Sequence, residues 1–106
     1  MLIALMKVTF FSKESELRGD WLGYDARRIL RPAFNLGGNL YSGTISSNEK
    51  IYYWNKEYDT IVEFFTVDND ETYSKVKPCL CIGKIYCIQM ASKIIGKAVL
   101  LDYTYV

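Results

Sequence analysis

Hydrophobic and polar residues alternate along much of this chain with the period of two that is typical of β-strands. The clearest alternation covers residues 58–67, where Val62 and Phe64 are predicted to point into a core. The opposite face of the same stretch carries Asp59, Ile61, Glu63, Phe65 and Val67. A strand with one buried face and one outward face is therefore predicted here.

Further strands are predicted from runs of β-branched and aromatic residues bounded by turn residues. They cover residues 1–11, 33–36, 40–46, 50–54, 80–90 and 94–105. Gly37-Gly38-Asn39 is a strong turn signal, and Gly43 inside a strand indicates a bulge or a close backbone approach. The polar residues 12–23 and 68–71 are predicted as loops.

About six or seven short strands, with no convincing amphipathic helix, predict an all-β sandwich or barrel. We favour a single small closed barrel, because closure removes the edges that so aromatic a sheet would expose. The length of 106 residues favours one domain covering residues 1–106. The hydrophobic share of 50% supports a core without a metal or a disulfide.

The formal net charge is +1, so the chain has no overall field that would steer it onto nucleic acid or a membrane. No run approaches the ~20 apolar residues of a membrane span. We recognise no secretory signal peptide at the N-terminus. The three cysteines lack the spacing of a secreted disulfide framework. We therefore expect a cytoplasmic protein with no membrane association.

The residue types leave little scope for catalysis. There is no histidine, which removes the commonest general base and metal ligand. Cys79, Cys81 and Cys87 are too few for a tetrahedral zinc site, so we interpret them as structural. The acids of residues 68–71 form only a fragment of a calcium-binding pattern. No glycine-rich phosphate-binding loop is present. We expect no enzyme activity, no cofactor, no metal and no bound nucleotide.

One basic cluster, Arg27, Arg28 and Arg31, follows the aromatic residues Trp21 and Tyr24. Arginines beside aromatic rings are typical of RNA recognition, where phosphates are paired and bases are stacked. The alternative is a solvated loop in which these arginines pair with nearby carboxylates. Three charges without a wider basic field predict only weak RNA affinity.

A second set of candidate binding residues is aromatic. Tyr52 and Trp54 share one face of a predicted strand, and Tyr53 lies on the other. Exposed aromatic residues are typical of the most strongly contributing residues in protein interfaces. In the alternative interpretation, these rings cover the end of the barrel.

Five segments occur in an order that is similar to a known domain. They are residues 3–14, Arg31-Pro32-Ala33-Phe34, Tyr41-Ser42-Gly43-Thr44-Ile45, Gly83-Lys84-Ile85-Tyr86-Cys87-Ile88 and Ile95-Gly96-Lys97-Ala98-Val99. Together they resemble the C-terminal β-barrel domain of elongation factor Tu. The resemblance implies a six-stranded antiparallel barrel without a nucleotide site. In that family, the domain helps to hold the acceptor arm and T-stem of transfer RNA and contacts other protein domains.

This chain departs from that family at several positions near the RNA-facing surface. The glutamine after Arg-Pro is Ala33, and the second glycine of the closing motif is Ala98. The near-neutral charge, the lack of a catalytic set and the surplus of aromatic residues lead us to predict a binding module that contacts a protein, of a regulatory or immunity type. The alternative is an RNA-binding, translation-associated module that contacts a transfer RNA arm.

Overall fold

The computed structural model describes residues 1–11, 23–25, 31–46 and 49–106, with the backbone alone for residues 24 and 25. These residues form nine β-strands, one short α-helix, α1 (Asp70–Val76), and a 3₁₀ turn at Lys77–Cys79. The strands are β1 (Leu2–Phe10), β2 (Gly23–Asp25), β3 (Ala33–Leu36), β4 (Asn39–Ser42), β5 (Thr44–Ser46), β6 (Ile51–Tyr53), β7 (Glu57–Phe64), β8 (Ile85–Met90) and β9 (Lys93–Tyr105). The prediction of a mostly β protein is confirmed.

Seven of these strands form one antiparallel sheet in the order β4-β3-β8-β9-β1-β7-β5, and β2 pairs with β6 separately. β1 lies between β9 and β7, so that Leu5 has Ile61 opposite it on one side and Asp102 on the other. The register between β1 and β9 shifts after Leu5, which leaves Leu101 as an extra residue in β9. A bulge of this kind increases the local twist and helps a sheet to curl.

The two ends of the sheet, β4 and β5, are consecutive segments of the chain separated by Gly43 alone. The backbone N–H of Gly43 donates to the carbonyl oxygen of Pro32 at 3.0 Å. The ladders on this side are short, with four residue pairs between β4 and β3 and three between β5 and β7. The predicted closed six-stranded barrel is therefore wrong. The sheet is a curled half-barrel, because this side lacks a ladder that runs the length of the long strands.

Alternate residues of the long strands point to the inner side of the curled sheet and form the core. The largest fully buried side chains are Phe10, Phe34, Phe64, Leu2, Met6, Leu36, Ile88, Ile95, Leu100, Val8, Val62 and Val67. The predicted inward positions Val62 and Phe64 are thus confirmed. The hydroxyl of Thr60 is also buried, and it donates to the Met6 carbonyl oxygen at 3.1 Å, so this polar group has a partner.

The predicted loop over residues 68–71 is correct for Asp68 and Asn69 and wrong for Asp70 and Glu71, where α1 begins. Asn69 caps the helix, and its side-chain oxygen accepts the Thr72 N–H at 2.8 Å. Asp70 and Glu71 lie in the first turn, where negative charge is favourable, and Val76 is buried. No helix within the described residues is long and apolar enough to span a membrane.

The predicted strand over residues 80–90 is shorter in the structure, because β8 begins at Ile85. The preceding residues turn around the phenol of Tyr86. Its hydroxyl donates to the carbonyl oxygen of Cys79 and accepts the N–H of Cys81 at 3.0 Å. Burial raises the pKa of the Tyr86 phenol above its ordinary value. A neutral tyrosine therefore anchors this turn to the core.

Candidate functional site

Four of the predicted binding residues cannot be placed as side chains. Trp21, Arg27 and Arg28 lie outside the described residues. Tyr24 is described by its backbone, which pairs in β2 with Tyr52 of β6. The basic cluster as a whole therefore stays a prediction.

Tyr52 belongs to the core, with 2% of its surface exposed. Its ring lies 5.1 Å from the rings of Phe10 and Tyr58, measured between centroids. Trp54 is half-buried against the core, whereas Tyr53 between them is 43% exposed. The predicted alternation of faces is present, but the face with Tyr52 looks inward. Tyr52 is therefore a core residue, and Tyr53 is the exposed one of these three rings.

Arg31 is exposed and lines a cavity of about 170 Å³ beside the junction of β4 and β5. Ser42 and Thr44 flank Gly43 at this junction, and Phe65 and Thr66 follow the end of β7. The Phe65 side chain is 52% exposed. Among the residues that the structure describes, no carboxylate forms an ion pair with Arg31. One guanidinium, three hydroxyls and an aromatic ring are thus brought together.

The outer side of the sheet carries apolar side chains on four neighbouring strands, which we name the outer apolar band. It consists of Ile61, Leu5, Leu101, Val99 and Ile85. Leu5 lies directly opposite Ile61, and Val99 lies directly opposite Ile85. Leu101 lies at the bulge, beside the residue that faces Leu5. The exposed fractions are 48% for Ile61, 40% for Leu5 and 57% for Ile85.

Carboxylates surround the Leu5–Ile61 pair. Asp59 and Glu63 precede and follow Ile61 on the outer face of β7, and Asp102 lies opposite Leu5. Lys7 approaches Asp59 with 3.8 Å between Nζ and Oδ1. Within the described residues, neither Glu63 nor Asp102 forms an ion pair. The apolar pair is therefore set in acidic surroundings.

A groove of about 740 Å³ adjoins this pair and is lined by both of its side chains. Among the described residues, Glu57 and Asp59 also line the groove, together with one lysine, Lys56. The Lys56 ammonium lies 5.3 Å from the ring centroid of Tyr58, and this contact favours a position beside the ring rather than at the centre of the groove. The described part of the lining therefore brings two carboxylates beside one cation.

The cysteines do not converge on a metal site. Cys79 is half-buried, and Cys81 and Cys87 are exposed, all as free thiols. In residues 1–11, 23–25, 31–46 and 49–106, no group of three or more cysteines, histidines or carboxylates could hold a metal ion.

Sequence reasoning identified one strand of the outer apolar band and missed the others. The alternation in residues 58–67 had already placed Asp59, Ile61 and Glu63 on one face. Leu5 and Asp102 join them only through the pairing of β1 with β7 and β9. A register between distant segments leaves no local signal in a sequence.

Comparison with known proteins adds no family to this geometry, since no family model matches the chain and no curated protein matches it.

Proposed function

We propose that this protein is a non-enzymatic binding module that acts by contacting another protein through its outer apolar band. The observation that supports the proposal is that apolar side chains occur on the outer side of four neighbouring strands, β7, β1, β9 and β8, and that Ile61, Leu5 and Ile85 among them are exposed. Single exposed apolar residues are ordinary on protein surfaces, whereas a contiguous group of them is typical of an interaction site.

The physical reason is the cost of leaving this surface in water. Burying apolar area stabilises a complex by roughly 25 cal/mol per Å², and only part of this survives the entropy lost on association. The net charge of +1 gives little long-range attraction, so short-range apolar contact is the main source of affinity available to this chain. A regulatory or immunity-type protein, which neutralises a partner by covering its surface, is the specific role that we propose.

The test is affinity capture from the native cytoplasm with three forms of the protein. The wild type is compared with Leu5→Thr/Ile85→Thr, which removes two apolar side chains from the band and places threonine, a residue that favours strands, at both positions. Ile94→Thr is the matched control, because Ile94 is 51% exposed but lies near the turn between β8 and β9. We expect a specific protein to be retained by the wild type and the control and lost by the double variant. Equal retention by all three forms would contradict the proposal.

The cavity beside Arg31 supports a second candidate function, RNA binding. A guanidinium and hydroxyls can contact a phosphate, and the exposed Phe65 ring can stack on a base. The resemblance to the elongation factor Tu domain points in the same direction. Nuclease treatment of half of each capture sample separates the two functions. Transfer RNA that is recovered only without nuclease, and is lost in an Arg27→Ala/Arg28→Ala/Arg31→Ala variant, would establish this alternative.

A further inference from the structure

We infer that the partner of the outer apolar band presents a basic polypeptide segment, in which an apolar side chain contacts the Leu5–Ile61 pair and lysines or arginines lie on either side of it. This inference rests on the proposed function and adds the chemistry of the partner.

Three carboxylates lie close to the Leu5–Ile61 pair. Residues directly opposite each other in an antiparallel pair have Cβ atoms about 4.5–5.5 Å apart, and next-but-one residues along a strand are about 6.6 Å apart. By the observed register, Asp102 is opposite Leu5, and Asp59 and Glu63 are next but one to Ile61. Each of the three carboxylate residues is therefore an immediate neighbour of the apolar pair on the outer face, either across from Leu5 or along β7 from Ile61.

One lysine of the protein itself approaches these carboxylates. Lys7 lies on the outer face of β1 and reaches Asp59 at 3.8 Å, with both side chains substantially exposed to water. An exposed pair of this kind is worth little, so Asp59 remains available to another cation. Glu63 and Asp102 have no ion pair within the described residues. Asp102 accepts the N–H of Tyr103 at 2.9 Å through one oxygen only.

The groove beside the pair carries carboxylates as well. Of the described residues, its lining contains Glu57 and Asp59 together with Lys56. A basic segment that continued along the groove would meet Glu57 in addition to Asp59, whereas an acidic segment would be repelled by both. Complementary charge at the rim of an apolar contact selects between partners that have equal apolar surface.

The test uses two synthetic peptides, both acetylated and amidated. One alternates lysine with leucine and threonine, and the other carries glutamate at every lysine position. Affinities are measured by isothermal titration at low salt and again at high salt. We expect the basic peptide to bind about tenfold or more tightly than the acidic one, from a few exposed charge pairs, and the difference to shrink at high salt.

A pair of matched variants then tests the residues. Glu63→Gln/Asp102→Asn removes two charges beside the apolar pair, and Asp70→Asn/Glu71→Gln removes two charges from α1 as the control. We expect roughly three- to tenfold weaker binding of the basic peptide by the first variant, and little change for the second. A third variant, Leu5→Thr/Ile61→Thr, is expected to weaken binding of the basic peptide, because the inference requires an apolar contact as well as charge.

The outcomes separate the inference from the proposed function. Undetectable binding of the basic peptide, equal affinity for both peptides, or equal effects of the two charge variants would overturn the basic partner. Binding of the basic peptide that is unchanged by Leu5→Thr/Ile61→Thr would show charge attraction without an apolar contact, and this result would also overturn the inference. None of these results affects the capture experiment, which tests the proposed function through Leu5→Thr/Ile85→Thr and Ile94→Thr.

Discussion

Gly43 lies so close to the buried ring of Phe34 that a Cβ atom at Gly43 would be 2.9 Å from Cε1 of that ring. The same Cβ atom would lie 2.6 Å from Cγ1 of Val62. Both neighbours are fully buried, and the Phe34 ring packs edge-on against Phe64 with 5.3 Å between centroids. Glycine therefore lets the chain pass from one end of the sheet to the other.

We expect Gly43→Ala to lower the free energy of unfolding by about 1–3 kcal/mol, because the added methyl group overpacks the core. Urea denaturation followed by circular dichroism measures the change. The neighbouring exposed substitution Ser42→Ala is the control. Combining Gly43→Ala with Val62→Ala is expected to cost less than the sum of the two single changes, since the clash with Cγ1 is removed. A strictly additive double variant would contradict this account.

The adjacent residues Tyr52 and Tyr53 should respond very differently to truncation. Tyr52→Ala removes a buried ring that contacts Phe10 and Tyr58, and we expect it to cost about 3–5 kcal/mol. Tyr53→Ala removes an exposed ring, and we expect a change within about 1 kcal/mol. Thermal and urea unfolding of the two variants check the prediction. Similar losses for both would place Tyr52 outside the core.

The phenol of Tyr86 should make stability depend on alkaline pH. Because burial raises its pKa in the folded state above the ordinary value of 10.0, the folded protein holds this proton more tightly than the unfolded chain. This contribution is fully present below the unfolded pKa and is lost as the pH rises through the folded pKa. We expect the unfolding free energy of the wild type to fall more steeply above pH 10 than that of Tyr86→Phe.

At neutral pH, Tyr86→Phe also removes the hydroxyl that joins Cys79 and Cys81, and we expect it to cost about 1–2 kcal/mol. The gap between the two proteins should therefore narrow as the pH rises. Unfolding measured at a series of pH values up to the alkaline range gives both curves. Parallel curves would show that Tyr86 does not contribute to the pH dependence.

Asn69→Ala should destabilise α1, because the Asn69 side chain satisfies the N–H of Thr72 in the first turn. Loss of an N-cap costs about 1 kcal/mol, and replacement by aspartate or serine should restore most of it. Hydrogen exchange at Thr72 and Tyr73 reports on the helix end directly. Faster exchange in Asn69→Ala and near-normal exchange in Asn69→Asp is the expected pattern.

The β-strands were largely predictable, because their alternation is a local property of the sequence. The turn at Gly37 and Gly38 is confirmed, with φ values of 68° and 92°, as is the close backbone approach at Gly43. Helix α1 was missed because it is only 7 residues long and has one buried residue, Val76, so it shows no helical periodicity. Its N-cap, Asn69, was interpreted as part of a loop, since the same residue type favours both.

Closure of the sheet and the surface site were less predictable, because both depend on which strands pair. The count of short strands was compatible with a closed barrel, and nothing in residues 40–46 showed that pairing would change sides at Gly43. The sequence also could not predict that the Tyr52 side chain points into the core, because alternation separates the two faces of a strand without showing which one is buried. Only the pairing of β1 with β7 and β9 brings Leu5, Ile61 and Asp102 together.

The position of β1 between β7 and β9 also bears on how fast the molecule can fold. Leu2 pairs with Phe64 on one side and with Tyr105 on the other. The residues that pair with β1 are therefore far from it in sequence. The entropy of closing such large loops is lost before most of the core contacts form, which slows folding compared with proteins rich in local contacts. Until β9 pairs with β1, the apolar side chains of β1 and its backbone N–H and C=O groups on that side stay exposed. Slow refolding that competes with aggregation at high protein concentration is the kinetic consequence of this strand order.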